Sequence, residues 1–387
     1  QLRIIAKKNS MAGIYLHIPY CKKKCHYCNF FSLATTKYRD DFLQALLCEI
    51  VERKTYLTEA VQSIYFGGGT PSLLSADELH QIFETIEQNF SISPTAEITL
   101  EANPDDLSLE YLKSIQKTKT NRLSIGIQSF FDEELQLVNR VHTGKEAIES
   151  VKRAREVGFE QMSLDLIYGI PNSTLKSWEA NLKHIEQLSP THLSAYSLTQ
   201  EPQTAYDVLV KKGKLQPPSD DKAIQQYELL QNYLPQLNME QYEISNYARD
   251  GQYALHNTHY WKGIPYLGLG PSAHSYNGTH RRWNKAHLKD YIDSAAKGAV
   301  LYEEEALSLE NKWNEWIMTG LRTKWGIDMQ QKPHSFPQPW TEVFLQKAQA
   351  FIHQELLFYS GTQYFLTEKG KLFADGIAAD FFQPVVD

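Results

Sequence analysis

Cysteine is scarce in this chain, four among 387 residues, too few to staple a secreted disulfide scaffold. Long apolar runs are missing too: no stretch approaches the roughly 18 uninterrupted apolar residues of a spanning helix, and no charged-apolar-small leader opens the chain. A cytoplasmic protein is expected, with peripheral membrane contact and a homodimer left open. Basic runs are equally absent. The net charge is -7 and no Lys/Arg stripe could track a phosphate backbone, which argues against nucleic acid as a main partner. Internal repeats and low-complexity segments are lacking. What remains, 42% hydrophobic and 22% charged, suits a chain that buries a large core. Residues 1–10 precede Met11 and carry a polar run, Lys7-Lys8-Asn9-Ser10; they read as a tag or a short extension and are set aside.

What is present is a recurring pattern. Short apolar runs at 13–18, 63–66, 97–101, 122–128, 161–168 and 192–197 are each followed by turn residues and a helical stretch. Apolar positions three and four apart mark amphipathic helices at 76–89 and 175–188. This alternation predicts an α/β fold whose parallel sheet curls into a barrel or part of one, with chemistry at the carboxyl ends of the strands. A polar stretch after Lys211 closes that unit, and a helix is expected at 221–234. Residues 242–276, rich in Tyr, His, Gly and Asn, read as packed loops over a site. Helical patterns from about residue 286, and the tail beginning Phe365-Leu366-Thr367, predict a smaller C-terminal domain, helical or α+β. The expected organisation is extension 1–10, barrel 11–210, connecting region 211–285 and C-terminal domain 286–387.

Three of the four cysteines, Cys21, Cys25 and Cys28, form Cys-x3-Cys-x2-Cys directly after the first strand. Thiolates hold iron-sulfur clusters, and three ligands on a cubane leave one of its irons open. That vacancy suits S-adenosylmethionine (SAM), whose amino and carboxylate groups chelate iron. By spacing alone the alternative is zinc, with His17 or His26 as the fourth ligand. Cys48, on a helix expected at 40–53, reads as a packed small hydrophobe.

Polar or glycine residues recur where the strands end. The second strand runs into Gly67-Gly68-Gly69-Thr70, where missing side chains let a ligand approach the backbone. Glu101, Gln128 and Asp165 close later strands, and Arg140 follows. A carboxylate accepts from ribose hydroxyls and an arginine forks onto a carboxylate. Taken singly each is more often a cap or an ion pair; aligned at one sheet edge they favour a ligand site.

On these residues the stretch 13–276 resembles the radical SAM branch that contains the oxygen-independent coproporphyrinogen III dehydrogenases and their relatives, the HemW-type heme chaperones. The resemblance implies a partial (β/α)6 barrel, a [4Fe-4S] cluster on Cys21, Cys25 and Cys28, and SAM contacts from Tyr15, Gly68, Gly69, Thr70, Glu101, Gln128, Arg140 and Asp165.

Two departures separate the chain from the dehydrogenases. Where they carry a further cysteine two residues past the triplet, this chain has Phe30, and their longer amino-terminal arm has no counterpart before Tyr15. The run His256-Asn257-Thr258-His259-Tyr260-Trp261 fits the His-Asn-x-x-Tyr-Trp motif that the resemblance associates with heme, and a neutral imidazole is a good axial ligand. His259 and His274 are further candidates. The alternative is a packing role for His256 and Trp261. The expected function is a heme chaperone that passes heme to apo-acceptors, respiratory enzymes among them; the rival is tetrapyrrole decarboxylation by a SAM-derived radical. A third reading is a barrel that binds SAM without turning it over.

Overall fold

Strands β1 (Met11–Ile18), β2 (Ala60–Gly68), β3 (Ile92–Ala102), β4 (Arg122–Gln128), β5 (Gln161–Tyr168) and β6 (His192–Ser197) lie side by side, parallel and in chain order. They occupy the places that the apolar runs predict. The computed structural model describes residues 11–385, so the stretch 1–10, with its reading as a tag or extension, lies outside the described residues. Helices α1 (Arg39–Glu52), α2 (Ala76–Asn89), α3 (Leu109–Ile115), α4 (Asp132–Leu137), α5 (Gly144–Val157) and α6 (Leu175–Leu188) connect the strands. Local chemistry sets their starts. Ser75 with Glu78 forms a capping box on α2, and Thr143 with Glu146 does the same on α5. The buried stripe of α2, Leu79, Ile82, Phe83 and Ile86, follows the helical period.

Alternation along the strands creates two surfaces. Ile14, Leu16, Ile64, Phe66, Leu123 and Ile125 pack with Phe42 and Leu46 of α1 and Ile82 of α2 in the main core. The intervening positions carry Tyr15, Tyr65, Glu101, Arg122, Ser124 and Asp165, which line a cavity. The lumen is therefore polar, unlike a barrel filled by branched apolar side chains.

Residues 242–276 depart from the expectation of packed loops. After α7 (Ala205–Lys211) and α8 (Asp220–Tyr233), strands β7 (Met239–Glu243) and β8 (Asn246–Arg249) extend the sheet antiparallel beyond β6. A short helix, α9 (Leu255–Trp261), follows, and β9 (Tyr266–Leu269) then pairs parallel with β1. The strands β10 (His274–Tyr276), β11 (His280–Asn284) and β12 (Tyr302–Ala306) continue outward from β9, antiparallel. The twelve-stranded sheet runs from β12 to β7 without closing, so the barrel is partial. Segments of three to five residues carry too little periodicity for their sequence to announce a strand. The exposed β12, Tyr302-Glu303-Glu304-Glu305-Ala306, ends the sheet in carboxylates, a charge pattern that discourages pairing with another edge.

Helix α10 (Leu288–Ala295) packs on α1, with Leu288, Tyr291 and Ala295 in the main core. A second core gathers Trp313 and Ile317 of α11 (Leu309–Leu321), Phe344 of α12 (Gln338–His353) and residues onward to Phe381. A three-stranded sheet, β13 (Ile327–Asp328), β14 (Leu357–Ser360) and β15 (Gln363–Leu366), belongs to that body. We place the junction between the two bodies after Ala306. Cys48, expected to be packed, is exposed: the buried stripe of α1 runs through Phe42, Ala45, Leu46 and Glu49, and position 48 falls off it. Among the described residues no helix is long and apolar enough to cross a membrane.

Candidate functional site

The loop after β1 carries the three cysteines and is folded back on itself. Leu33 accepts from the Cys21 N–H at 3.0 Å and donates to the Pro19 carbonyl at 2.8 Å. His26 anchors the middle, its Nδ1 2.9 Å from the Leu137 carbonyl at the end of α4. His17 is held by the Phe31 carbonyl at 2.7 Å and the Tyr15 hydroxyl at 3.2 Å. Both histidines that a zinc site would call on are thus engaged elsewhere. Among the described residues no three His, Cys, Asp or Glu side chains could share one metal ion. Burial pushes the Cys21 thiol up, while the Thr70 and Ser32 hydroxyls beside it pull the other way. Arg140 donates to Cys25 Sγ at 3.4 Å.

The glycine triplet is shaped by this loop as much as by any ligand. A Cβ on Gly69 would lie 2.6 Å from the Tyr20 carbonyl oxygen and 2.9 Å from that of Ile18. Gly68 has φ +106°, and its Cβ would meet the His17 ring at 2.7 Å.

The other strand-end residues sort into two groups. Thr70 and Arg140 lie against the cysteine loop, with Gln128 near Arg140 at Gly126: Arg140 also donates to Asn103 Oδ1 at 2.7 Å and to the Gly126 carbonyl, and its buried Nε has no partner. Gln128, at the end of β4, is buried with φ 69°, a backbone strain that side chains other than glycine adopt rarely. Tyr15, Gly68, Glu101 and Asp165 instead line the lumen, a cavity of about 1210 Å³ that extends to Trp316 and Phe336 of the C-terminal body. Glu101 accepts from the Tyr65 hydroxyl at 2.7 Å, and burial raises its pKa to about 7. Asp165 is raised by burial against the opposing pull of Ser194, the Arg122 charge, Ser163 and Ser124.

His256 lies in the wall of the same cavity, at the far end of the strands. A Cβ on Gly13, near the start of β1, would be 3.3 Å from its ring, whereas the cysteine loop leaves the other end of β1, about 16 Å away at strand rise. The His256 Nδ1 is 2.8 Å from Ser63 Oγ and its Nε2 is 2.9 Å from the Tyr260 hydroxyl. Its ring stacks on Tyr65, with centroids 5.2 Å apart. Burial pushes its pKa down to about 3, so the imidazole is neutral. Glu97 accepts from the N–H groups of Leu255 and His256 at 2.9 and 3.0 Å and holds the first turn of α9. His259 reaches the same Ser63 at 3.2 Å, and His274 stands on β10 in the cavity wall, stacked on Trp283 at 5.9 Å. Phe30, 62% exposed, lies in the cavity wall beside the cysteine loop.

Comparison with known proteins gives these positions a context. The Radical SAM superfamily matches residues 15–185 and the HemN C-terminal domain matches 307–373. The fold is shared with coproporphyrinogen III oxidase (HemN) from Escherichia coli, a radical SAM enzyme, at TM-score 0.84 and 26% identity over 97% of this chain and 91% of that one. The heme chaperone HemW of Bacillus subtilis is 35% identical over 376 residues, 96% of this chain and 99% of that one. The chain belongs to the HemW family. The Mycobacterium tuberculosis HemW is 32% identical, covering 94% of this chain and 93% of its own. A mitochondrial radical S-adenosyl methionine domain-containing protein 1 from Mus musculus is 36% identical over 85% of this chain and 77% of its own.

Several residues that build the site of this HemW-family chain escaped the sequence reading: Tyr65 and Arg122, which line the lumen, and Ser63 and Glu97, which hold His256 and the start of α9. Residues 97 and 101 lie on one face of β3, and 63 and 65 share a face with Gly67 on β2. Counting back two residues at a time from Glu101 and from Gln128 would have found Glu97 and Arg122, whereas the same count from Gly68 at the end of β2 leads to the core residues Phe66 and Ile64.

Proposed function

We propose that the protein is a heme chaperone that binds heme in its lumen through His256 and passes it to apo-heme acceptor proteins, while Cys21, Cys25 and Cys28 carry a SAM-ligated [4Fe-4S] cluster. One observation carries this reading: a neutral imidazole held at Nδ1 by Ser63 and bordering, at Nε2, a large cavity. Metal-binding histidines are commonly oriented in this way through their second nitrogen. The Tyr260 phenol occupies Nε2 and must swing aside for iron. Tyr65 and Tyr15, stacked with the ring, offer aromatic surface to a porphyrin.

Toward the cysteine end of the lumen, residues of this chain would hold SAM. When bound, the cluster supplies a one-electron reductant and an open iron to which SAM chelates. Thr70 and Arg140 flank the thiols, and Glu101 and Asp165 would accept from ribose hydroxyls or the amino group. The rival reading, oxidation of a coproporphyrinogen side chain, draws on the shared shape with HemN; Phe30, where the dehydrogenases carry a cysteine, weighs against it.

The test is heme transfer to an apo-acceptor, with and without an intact cluster, beside an anaerobic assay with SAM and coproporphyrinogen III. Saturable heme binding, lost in His256→Ala, together with transfer and no vinyl product is the expected result. Vinyl product formed catalytically would overturn it.

A further inference from the structure

Arg122 opens β4 on the floor of the lumen, and its guanidinium is short of partners. The residue is 5% exposed. Its Nη2 is buried without any hydrogen bond. Nη1 reaches Thr99 Oγ1 only at 3.5 Å, and Nε stands 3.8 Å from Glu97 Oε2. That carboxylate is an ion-pair partner without a hydrogen bond to the guanidinium, and both its oxygens also accept from the first turn of α9 at 2.9 and 3.0 Å. Of the other carboxyls lining the lumen, Glu101 bonds to Tyr65, Glu315 pairs with Arg281, and Asp165 bonds to serines and feels the Arg122 charge without a hydrogen bond to it. A buried charge left in this condition is costly, and an incoming anion would relieve the cost with a charge-assisted, forked contact. Arg122 lies in the wall of the cavity that His256 also lines.

We infer that Arg122 is the docking point for a carboxylate of the lumen's ligand, and that in a tetrapyrrole this group is a propionate. The identity of the ligand rests on the heme reading above; the anion site rests on the unpartnered guanidinium. Iron and propionate would then be held at one end of the lumen, by His256 and Arg122, leaving the other end to SAM.

The experiment titrates the protein, without SAM so that its carboxylate cannot compete, with iron protoporphyrin IX and with the dimethyl ester of the same porphyrin. The wild type is expected to prefer the free acid by about tenfold, the scale of one charge-assisted contact. In Arg122→Gln that preference falls to about one while ester affinity is kept, and in Arg122→Lys it survives in part, the charge being kept and the fork lost. If the Gln variant fails to fold, as judged by its melting curve, Arg122→Lys against wild type carries the comparison. Equal weakening of both porphyrins, or an unchanged preference, would show a structural role and overturn the inference while the heme reading stands. A wild type that binds neither porphyrin overturns the heme reading and this assignment of the ligand together.

Discussion

Ser63 on β2 and His256 on α9 stand 193 positions apart in the chain and 2.8 Å apart in space. The contact belongs to a relay of Tyr260, His256, Ser63 and His259. The relay satisfies its members when Tyr260 donates to His256 Nε2, Nδ1–H donates to Ser63 and the serine hydroxyl donates to His259. In that sense the lone pair of Nε2 faces Tyr260, and removal of the phenol exposes it to the lumen. The reverse sense places a proton there and blocks iron.

Ser63→Ala removes the group that fixes the tautomer. Heme affinity, read from the Soret band on titration, is expected to fall roughly ten- to a hundredfold with the melting temperature little changed. Tyr260→Phe, which clears Nε2, should bind heme faster than wild type. Unchanged affinity in the serine variant would detach His256 from iron binding.

Glu101 makes the ligand-free protein sensitive to pH. Its pKa rises from the ordinary 4.5 to about 7 on folding, so the folded chain holds this proton more tightly than the unfolded chain. Between those values the folded state binds more protons, and stability falls as pH rises through the window. Glu101→Gln keeps an acceptor for Tyr65 and removes the penalty. Denaturant melts should show the variant gaining on wild type from pH 4.5 upward, by on the order of 1 to 3 kcal/mol at pH 8. A difference that does not change with pH would contradict the shift.

Gly69→Ala tests whether the glycine turn supports the cysteine loop. The new methyl would press on the carbonyl oxygens of Tyr20 and Ile18, and such overpacking costs roughly 1–3 kcal/mol. Reconstituted iron content should drop along with stability. Retention of full iron would mean that the loop yields without disturbing its thiols.

Replacing Cys21, Cys25 or Cys28 by serine should each abolish the charge-transfer absorbance of the reconstituted cluster. Cys48→Ser, altering an exposed position on α1, should keep it. Loss of the cluster in the Cys48 variant would show that the three-thiol assignment is incomplete.

Legibility in the sequence followed periodicity and length. The strands at 122–128, 161–168 and 192–197 and the helices at 76–89 and 175–188 were readable to the residue, because their period spans six residues or more and turn or cap residues bound them. Between residues 242 and 276 the same reading failed. Strands such as β9 and β10 are too short to show a period, and their places beside β1 and beyond depend on partners far away in the chain. The exposure of Cys48 was missed because residue type outweighed its position on the helical wheel.

By itself the sequence determined the α/β order, the three thiols on one loop and the line of polar strand ends, since all of these depend on neighbours within a few residues. Only the tertiary structure decided that His256 sits on a helix at the opposite end of the strands from the cysteines, that Gly69 yields its space to the loop and that Arg122 is left without a firm partner. Those facts are set by strand register and by the return of α9 into an open barrel, contacts between segments that local chemistry does not connect.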